Sequence, residues 1–508
     1  MEMLRSFLDD GGGSAALLKS ASRNDPWKEV VAQLVAHDAK MLLVQSLVVD
    51  QDFIEEHKIA YAQQHRQVDK WCLRVHAFRE NFRRTKKTNS ATHILNFIDR
   101  ANSKAGCYLG FVTLRPLRHA PVGATFLQVP ANLKINASDR FNVQLTGVQF
   151  SVQATPFLQQ ESAAGACAQA SIWMALRTIS QHMKRQRVSV AELTLAASRQ
   201  TRFNRRSPGT DGLTVGEMIE ALKAIGWNYF HFDIPRAQET RGDIVFRTVG
   251  PYLDSGLPVV MSLRVGDDVG HAVVAIGREM GSDPMLPPSE EEKEWQCQFS
   301  EGWTAHLTVN NDNTGPYVSL PMTPRATKQY AASQAKGLII PLPSAVLMSA
   351  RQAQLIACEL GLPVISRVFT ITDDALKVRP DRAVVLRTYL CSRHAWRSWV
   401  GRAKHMGPEV RSQYRSMSLP ELMWIVELHD ADSFDPAKDS GSCCGEMLFD
   451  AASNSLHGES FVAGRAIADL YEDTERDGEL LVWEAKRYLL FVASTGTMGP
   501  GIDKPDYV

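Results

Sequence analysis

No stretch of this 508-residue chain approaches the roughly 18 to 20 consecutive apolar residues needed to cross a bilayer, which argues against a transmembrane helix. Net charge is also missing. The 56 Lys+Arg balance 56 Asp+Glu, so no global field draws the protein toward nucleic acid or an anionic membrane, and neither is expected as a partner. The opening residues, MEMLRSFLDDGGGS, have no basic leader followed by an apolar core, and a cytoplasmic location is expected. Eight cysteines are present without paired CxxC motifs or the spacing of a disulfide module, so reduced, buried thiols are expected. Adjacent Cys443 and Cys444 with His457 do not suit a tetrahedral centre; no metal and no cofactor is expected. The C-terminal third also lacks a Gly-rich phosphate loop, a basic stripe and a nucleophile elbow.

What remains is an ordinary folded composition, 44% hydrophobic and 22% charged, at a length that predicts two to four compact units. Apolar residues spaced three to four apart in Trp27–Ala36 and Phe53–Phe82 predict a helical N-terminal domain over residues 1–100. From Cys107 the pattern turns β-like: CYLGFVTLRPL, ATFLQV and FNVQLTGVQFSVQA predict strands in a connecting segment, 101–155. A central domain, 156–325, reads as helix first and sheet second, with helices after Cys167 and at Thr214–Ile225 and strands in PVVMSLRV, HAVVAIGR and AHLTVNN. Residues 326–508 read as a separate α/β unit of unassigned role. It has a helical pattern at Ala345–Leu360 and strands in RAVVLRTYL, LMWIVELHD, EMLFDA and ELLVWEAKRYLLFVAS. The fold class expected is α+β. Gly11–Gly13 reads as a flexible linker, Arg199–Arg206 as a solvated loop, and tryptophans such as Trp173, Trp303, Trp424 and Trp483 as core anchors.

The chemistry-bearing segment is PFLQQESAAGACAQASIWMALRTIS, in which small residues lead into Cys167 and an apolar helical pattern follows it. A thiol at a helix N-terminus meets unpaired N–H groups and the positive end of the dipole, which favour the thiolate, so an acidic, nucleophilic Cys167 is expected. Gly165, Ala166 and Ala168 leave room for a substrate backbone. GHAVVAIG presents His271 at the start of a strand, a proton partner for the thiol. HLTVNNDNTGPY then offers Asn310, Asn311 and Asp312 to orient the imidazole; Asp312 is favoured because the turn after the strand carries its carboxylate toward the neighbouring strand. The Cys167 N–H and the Gln160 side chain are the candidate oxyanion donors, with Gln159 as the alternative.

In this order, with DGLTVGEMIEALKAIGW and SGLPVVMSL between the cysteine and histidine segments, the central domain resembles the papain-like cysteine peptidases. It is most similar to the double-glycine-type peptidase domains of bacteriocin exporters, with phytochelatin synthase a further relative. The resemblance spans roughly 165 of the 508 residues. It implies a papain-like helix-plus-antiparallel-sheet domain with Cys167 as nucleophile, His271 as general base and acid, Asp312 as orienting residue and Gln160 as oxyanion donor. The implied activity is cleavage of a peptide or isopeptide bond through a thioester, acting on a protein or peptide substrate. Acyl transfer to an amine or thiol uses the same residues, and a non-catalytic scaffold that binds a protein partner is the rival from another class. Two departures stand out: the Gln160–Cys167 offset of seven is longer than the family's, and forty residues separate His271 from Asp312. The excess falls in MGSDPMLPPSEEEKEWQ, which reads as an inserted loop bordering the cleft.

Overall fold

The computed structural model describes residues 21, 23–62, 68–81, 91–160, 167–180, 183, 185–198, 213–238, 241–265, 269–326, 329–343, 345–361, 384–403, 406–431, 434–438, 443–453, 460–467, 481–485 and 488–493. The Gly11–Gly13 run, Gly165 and Ala166, Arg199–Arg206 and His457 lie outside them, as do the side chains of Cys443, Cys444 and Trp483.

The N-terminal hundred residues are not a helical domain. Helix α1 (Asp25–Ala36) forms as expected: Asn24 caps the Trp27 N–H, Pro26 occupies the first turn, and Trp27, Val30 and Leu34 bury one face. The long run from Phe53 does not stay helical. It gives α2 (Gln51–Glu56), one wide turn to Tyr61, and then a strand. That strand, β2 (Cys72–Phe78), pairs antiparallel with β1 (Met41–Val48) and, beyond α3 (Ala91–Asn102), with β3 (Tyr108–Leu114), which pairs with β4 (Val122–Leu127). The sheet crosses the expected boundary at residue 100, so 1–100 and 101–155 share one sheet. The misreading has a physical source. Nearly every side chain of β2 is buried, which erases the period-two pattern that marks a half-exposed strand. Where alternation survives, in β5 (Asp139–Leu145) and β6 (Val148–Ala154), the hairpin is where the sequence places it. Its two-residue turn, Thr146–Gly147, has positive φ at both positions (50° and 87°), matching the twist of the strands.

The central unit does run helix first. Helix α4 (Cys167–Ile179) is almost wholly buried; α5 (Val190–Ser198) follows, and α6 (Val215–Ala224) starts on a capping box of Thr214 and Glu217. After β7 (Asn228–Asp233) and α7 (Gly242–Asp254) come β8 (Val259–Val265) and β9 (Val269–Met280). The Pro-rich insertion is structured and runs one strand past its expected end at Gln296: it forms α8 (Glu290–Glu294), capped by Ser289, and continues into β10 (Cys297–Phe299). Then follow β11 (Thr304–Asn311), β12 (Gly315–Pro321) and β13 (Ala335–Leu342). Six strands make an antiparallel sheet in the order β12-β11-β9-β8-β13-β7. Because β13 lies between β8 and β7, the central unit extends past the expected end at 325.

The third sheet is not separate either. After α9 (Ala350–Ile356) come β14 (Val384–Ser392), α10 (Arg393–Arg402), α11 (Pro408–Ser416), β15 (Leu422–Asp430), β16 (Cys443–Asp450), β17 (Phe461–Ile467), β18 (Leu481–Ala485) and β19 (Tyr488–Ala493). Its order is β10-β14-β15-β16-β17-β19-β18, so the insertion donates an edge strand, β10, parallel to β14. The insertion therefore joins two sheets instead of simply bordering a cleft. The seam holds a buried ionic network: Arg278 of β9 donates to both oxygens of Asp254 at 3.0 and 2.7 Å and to the Ser300 carbonyl, while Arg387 of β14 stands 3.4 Å from Asp254. Helices and antiparallel strands thus mix in comparable shares, an α+β protein. No described helix is long and apolar enough to cross a membrane. Trp173, Trp303 and Trp424 are buried in the core.

Candidate functional site

Three elements carry the site: the first turn of α4, the start of β9, and the end of β11 with its turn into β12. Cys167 is the first residue of α4, which packs against β9. The backbone N–H groups of Ala272, Ala168 and Cys167 itself lie near enough to favour the thiolate, but none makes a hydrogen bond to the sulfur. Ala272 directly follows His271, so the sulfur and the imidazole belong to neighbouring points of one strand–helix contact. Among the described residues, however, no hydrogen bond joins Cys167 to His271.

His271 is buried on β9 opposite Leu263 of β8. Its Nε2 donates to Asn311 Oδ1 at 2.9 Å. That bond requires a proton on Nε2 and leaves Nδ1 as the basic nitrogen of a neutral ring. Nδ1 faces the Asn313 amide Nδ2 at 3.4 Å, which also donates to the Tyr330 hydroxyl at 3.1 Å. The Tyr330 ring stacks on the imidazole with centroids 4.7 Å apart and planes 28° from parallel.

The orienting role expected of Asp312 falls to Asn311 here: Asp312 Oδ1 is 3.7 Å from Nε2, beyond hydrogen-bond range. Strand alternation explains the choice. Consecutive side chains point to opposite faces, so Asn310 turns away from the histidine. It donates to the Pro156 carbonyl and Thr155 Oγ1 and accepts from the Tyr317 N–H. Asn311, the last residue of β11, faces β9, and its oxygen also accepts the Asn313 N–H, which fixes the turn. Asp312 is 3% exposed, and its Oδ1 has no hydrogen-bond partner.

The glutamines do something other than expected. Gln159 accepts from the Val122 N–H and donates to the His119 carbonyl, while its own carbonyl accepts from Arg115. Gln160 donates to Glu56 Oε1 at 3.2 Å, and Glu56 in turn accepts from Arg115 at 3.0 Å. Gln159 anchors the chain before Cys167 onto β4 and Gln160 anchors it onto α2, and no described hydrogen bond ties Gln160 to Cys167 or His271.

Burial sets the electrostatics. It pushes the Cys167 thiol above its ordinary value, the nearby Asp312 carboxylate pushes it further, and the opposing influence of the neighbouring backbone N–H groups does not cancel the rise. This corrects the expectation of an acidic thiol: the helix terminus is present, but desolvation outweighs it. Burial likewise holds His271 below the usual imidazole value, opposed by the Asn311 bond. Asp312 is pushed up to about 7 by burial, against the N–H groups of Asp312 and Asn313. Near neutral pH both groups are therefore uncharged, a thiol and a neutral imidazole, not an ion pair.

Asn313 and Tyr330 are additions to the residues the sequence singles out. Asn313 had a signal, since it lies two residues past Asn311 in a tight turn; Tyr330, well along a polar connection, had none. Among the described residues no cluster of three His, Cys, Asp or Glu side chains suits a metal ion. No protein-family model matches the chain, and no curated protein matches it.

Proposed function

We propose that this protein is a thiol-dependent amide hydrolase with a papain-like central domain, in which Cys167 is the nucleophile, His271 the general base and acid, and Asn311 the residue that orients the imidazole. One observation carries the reading: the helix headed by Cys167 packs against β9, where His271 is held by Asn311 at 2.9 Å and capped by Tyr330. A ring fixed through Nε2 presents Nδ1 as the proton acceptor, which is the arrangement general-base activation of a thiol requires.

The chemistry follows from a neutral pair. Substrate displaces the long Asn313 contact, Nδ1 takes the thiol proton as sulfur attacks the amide carbonyl, and the Cys167 N–H faces the developing oxyanion. The imidazolium is stabilised by Asn311 and by the Asp312 carboxylate close behind Nε2. Nδ1 then protonates the leaving amine, leaving a thioester that water releases. Peptide or isopeptide bonds are the proposed substrates, and an amine in place of water would make the same site an acyltransferase. A binding-only scaffold is favoured by one feature, the raised thiol pKa. Incubation with a peptide-amide library and with activated esters separates the readings. Hydrolysis or transfer that disappears in Cys167→Ala supports the enzyme, and identical inertness of both proteins supports the scaffold.

A further inference from the structure

Two thiols that take no part in this site face one another between the edge strand β10 of the seven-stranded sheet and the turn that follows α9, a helix packed on β14 and β15. Cys297 opens β10, the strand the insertion donates to β14, and Cys358 lies in the wide turn that follows α9. Both are buried, at 3% and 0% exposure, and their sulfurs are 3.8 Å apart although 61 positions separate them in sequence. Cys391, equally buried, has its sulfur on the Ser392 carbonyl at 3.5 Å instead.

We propose that Cys297 and Cys358 are a modification site, closing to a reversible disulfide when the protein meets a peroxide and thereby stapling the inserted segment to the turn after α9. The sulfurs need to approach by about 1.8 Å to reach bonding distance, a displacement that side-chain rotation supplies. One thiolate attacks the peroxide oxygen, giving a sulfenic acid and releasing water; the second sulfur then attacks the sulfenic sulfur and a second water leaves. Two thiols and one hydrogen peroxide thus become one disulfide and two waters.

The surroundings favour Cys297 as the attacking group. The Cys358 S–H bonded to it holds Cys297 below the ordinary thiol range, with the Arg351 charge acting in the same direction against burial and Glu292. Arg351 is itself fixed over the Phe299 ring at 5.3 Å and paired with Glu291. The link would close a loop containing β11 to β13 and α9, and so tie β10 covalently to the turn after α9, where β10 is now held by strand pairing to β14.

The test uses the full-length Cys167→Ala protein, so that the nucleophile contributes no oxidation product. Brief treatment with hydrogen peroxide is expected to lower the intact mass by about 2 Da, and non-reducing peptide mapping is expected to find one cross-linked peptide joining Cys297 to Cys358. Dithiothreitol reverses the link, Cys297→Ser and Cys358→Ser each abolish it, and the oxidised protein unfolds at higher temperature than the reduced one. Mixed pairings, over-oxidised single cysteines or an unchanged mass would overturn the site. A correct link without a rise in the unfolding midpoint would overturn its stapling role.

Discussion

His271 and Asn311 are joined at 2.9 Å between the start of β9 and the end of β11, and the direction of that bond fixes which imidazole nitrogen is basic. Asp312, the next residue along, is within 3.7 Å of the same nitrogen yet makes no bond to it. The two neighbours therefore have different roles. Asn311→Ala is expected to reduce turnover of any substrate at least tenfold, toward the range lost when general-base catalysis fails, about 10²-fold or more. Asp312→Asn is expected to keep most of the rate. Steady-state kinetics of the two variants side by side checks this ordering, and a larger loss in Asp312→Asn would restore the carboxylate to the orienting role.

Asp312 instead governs pH dependence. Its carboxyl is pushed up to about 7 in the folded protein from an ordinary 3.8, so the folded state holds a proton that the unfolded chain has released. Stability is greatest with the group protonated and is lost as pH rises from about 4 through 7. Asp312→Asn imitates the protonated form, so it is expected to raise the thermal midpoint at pH 8 and to have a smaller effect at pH 4. The same substitution removes a negative charge beside Cys167 and is expected to move the pH profile of Cys167 alkylation downward.

The turn bearing Asn311 and Asn313 depends on its closest packing neighbour. Gly315 has φ +134°, and a Cβ there would meet Glu29 of α1 at 2.5 Å. Gly315→Ala is expected to displace the turn and to lower both stability and activity, whereas Glu29→Gly in the same chain, which removes the Cβ and Cγ it would meet, is expected to recover only the steric part, because the positive φ remains unfavourable. Denaturation midpoints of the single and double variants measure the two contributions.

Tyr330 covers one face of the imidazole, shielding the His271–Asn311 bond from water. Tyr330→Phe keeps the ring and loses only the hydroxyl that receives Asn313; it is expected to remain within a few-fold of the parent. Tyr330→Ala is expected to lose turnover about tenfold and to shift the acid limb of the pH profile upward, as a better-solvated imidazole charges more easily.

The buried Arg278–Asp254 pair holds β9 to α7 and, through Arg387, to the third sheet. Removing one partner strands a charge, so Asp254→Ala is expected to cost about 3 to 5 kcal/mol in urea unfolding. A cost below about 1 kcal/mol would show that water or rearrangement satisfies Arg278.

Local chemistry was the legible part. The helix at Cys167, the strand at His271 and the turn after Asn311 could each be placed because apolar spacing, capping residues and turn residues are encoded within a few positions. Choosing Asn311 over Asp312 needed the strand's end point to within one residue, since a one-residue shift reverses which face a side chain takes. The bond from Gln160 to Glu56 spans 104 positions and the four-stranded sheet joins segments on both sides of residue 100, so neither has a local signature. The thiol's raised pKa was hidden for the same reason. Helix termini can be read from a sequence, whereas desolvation depends on everything packed around them.

The most direct test is the second-order rate at which a cysteine-directed acyloxymethyl ketone labels each thiol, mapped by peptide mass spectrometry in the parent and in His271→Ala. The account predicts that Cys167 reacts ahead of Cys72, Cys107, Cys297, Cys358 and Cys391, and that His271→Ala slows Cys167 at least tenfold while leaving the others unchanged. Labelling of Cys167 that is equally fast in both proteins would show that the imidazole does not serve the sulfur, and the hydrolase reading would fall.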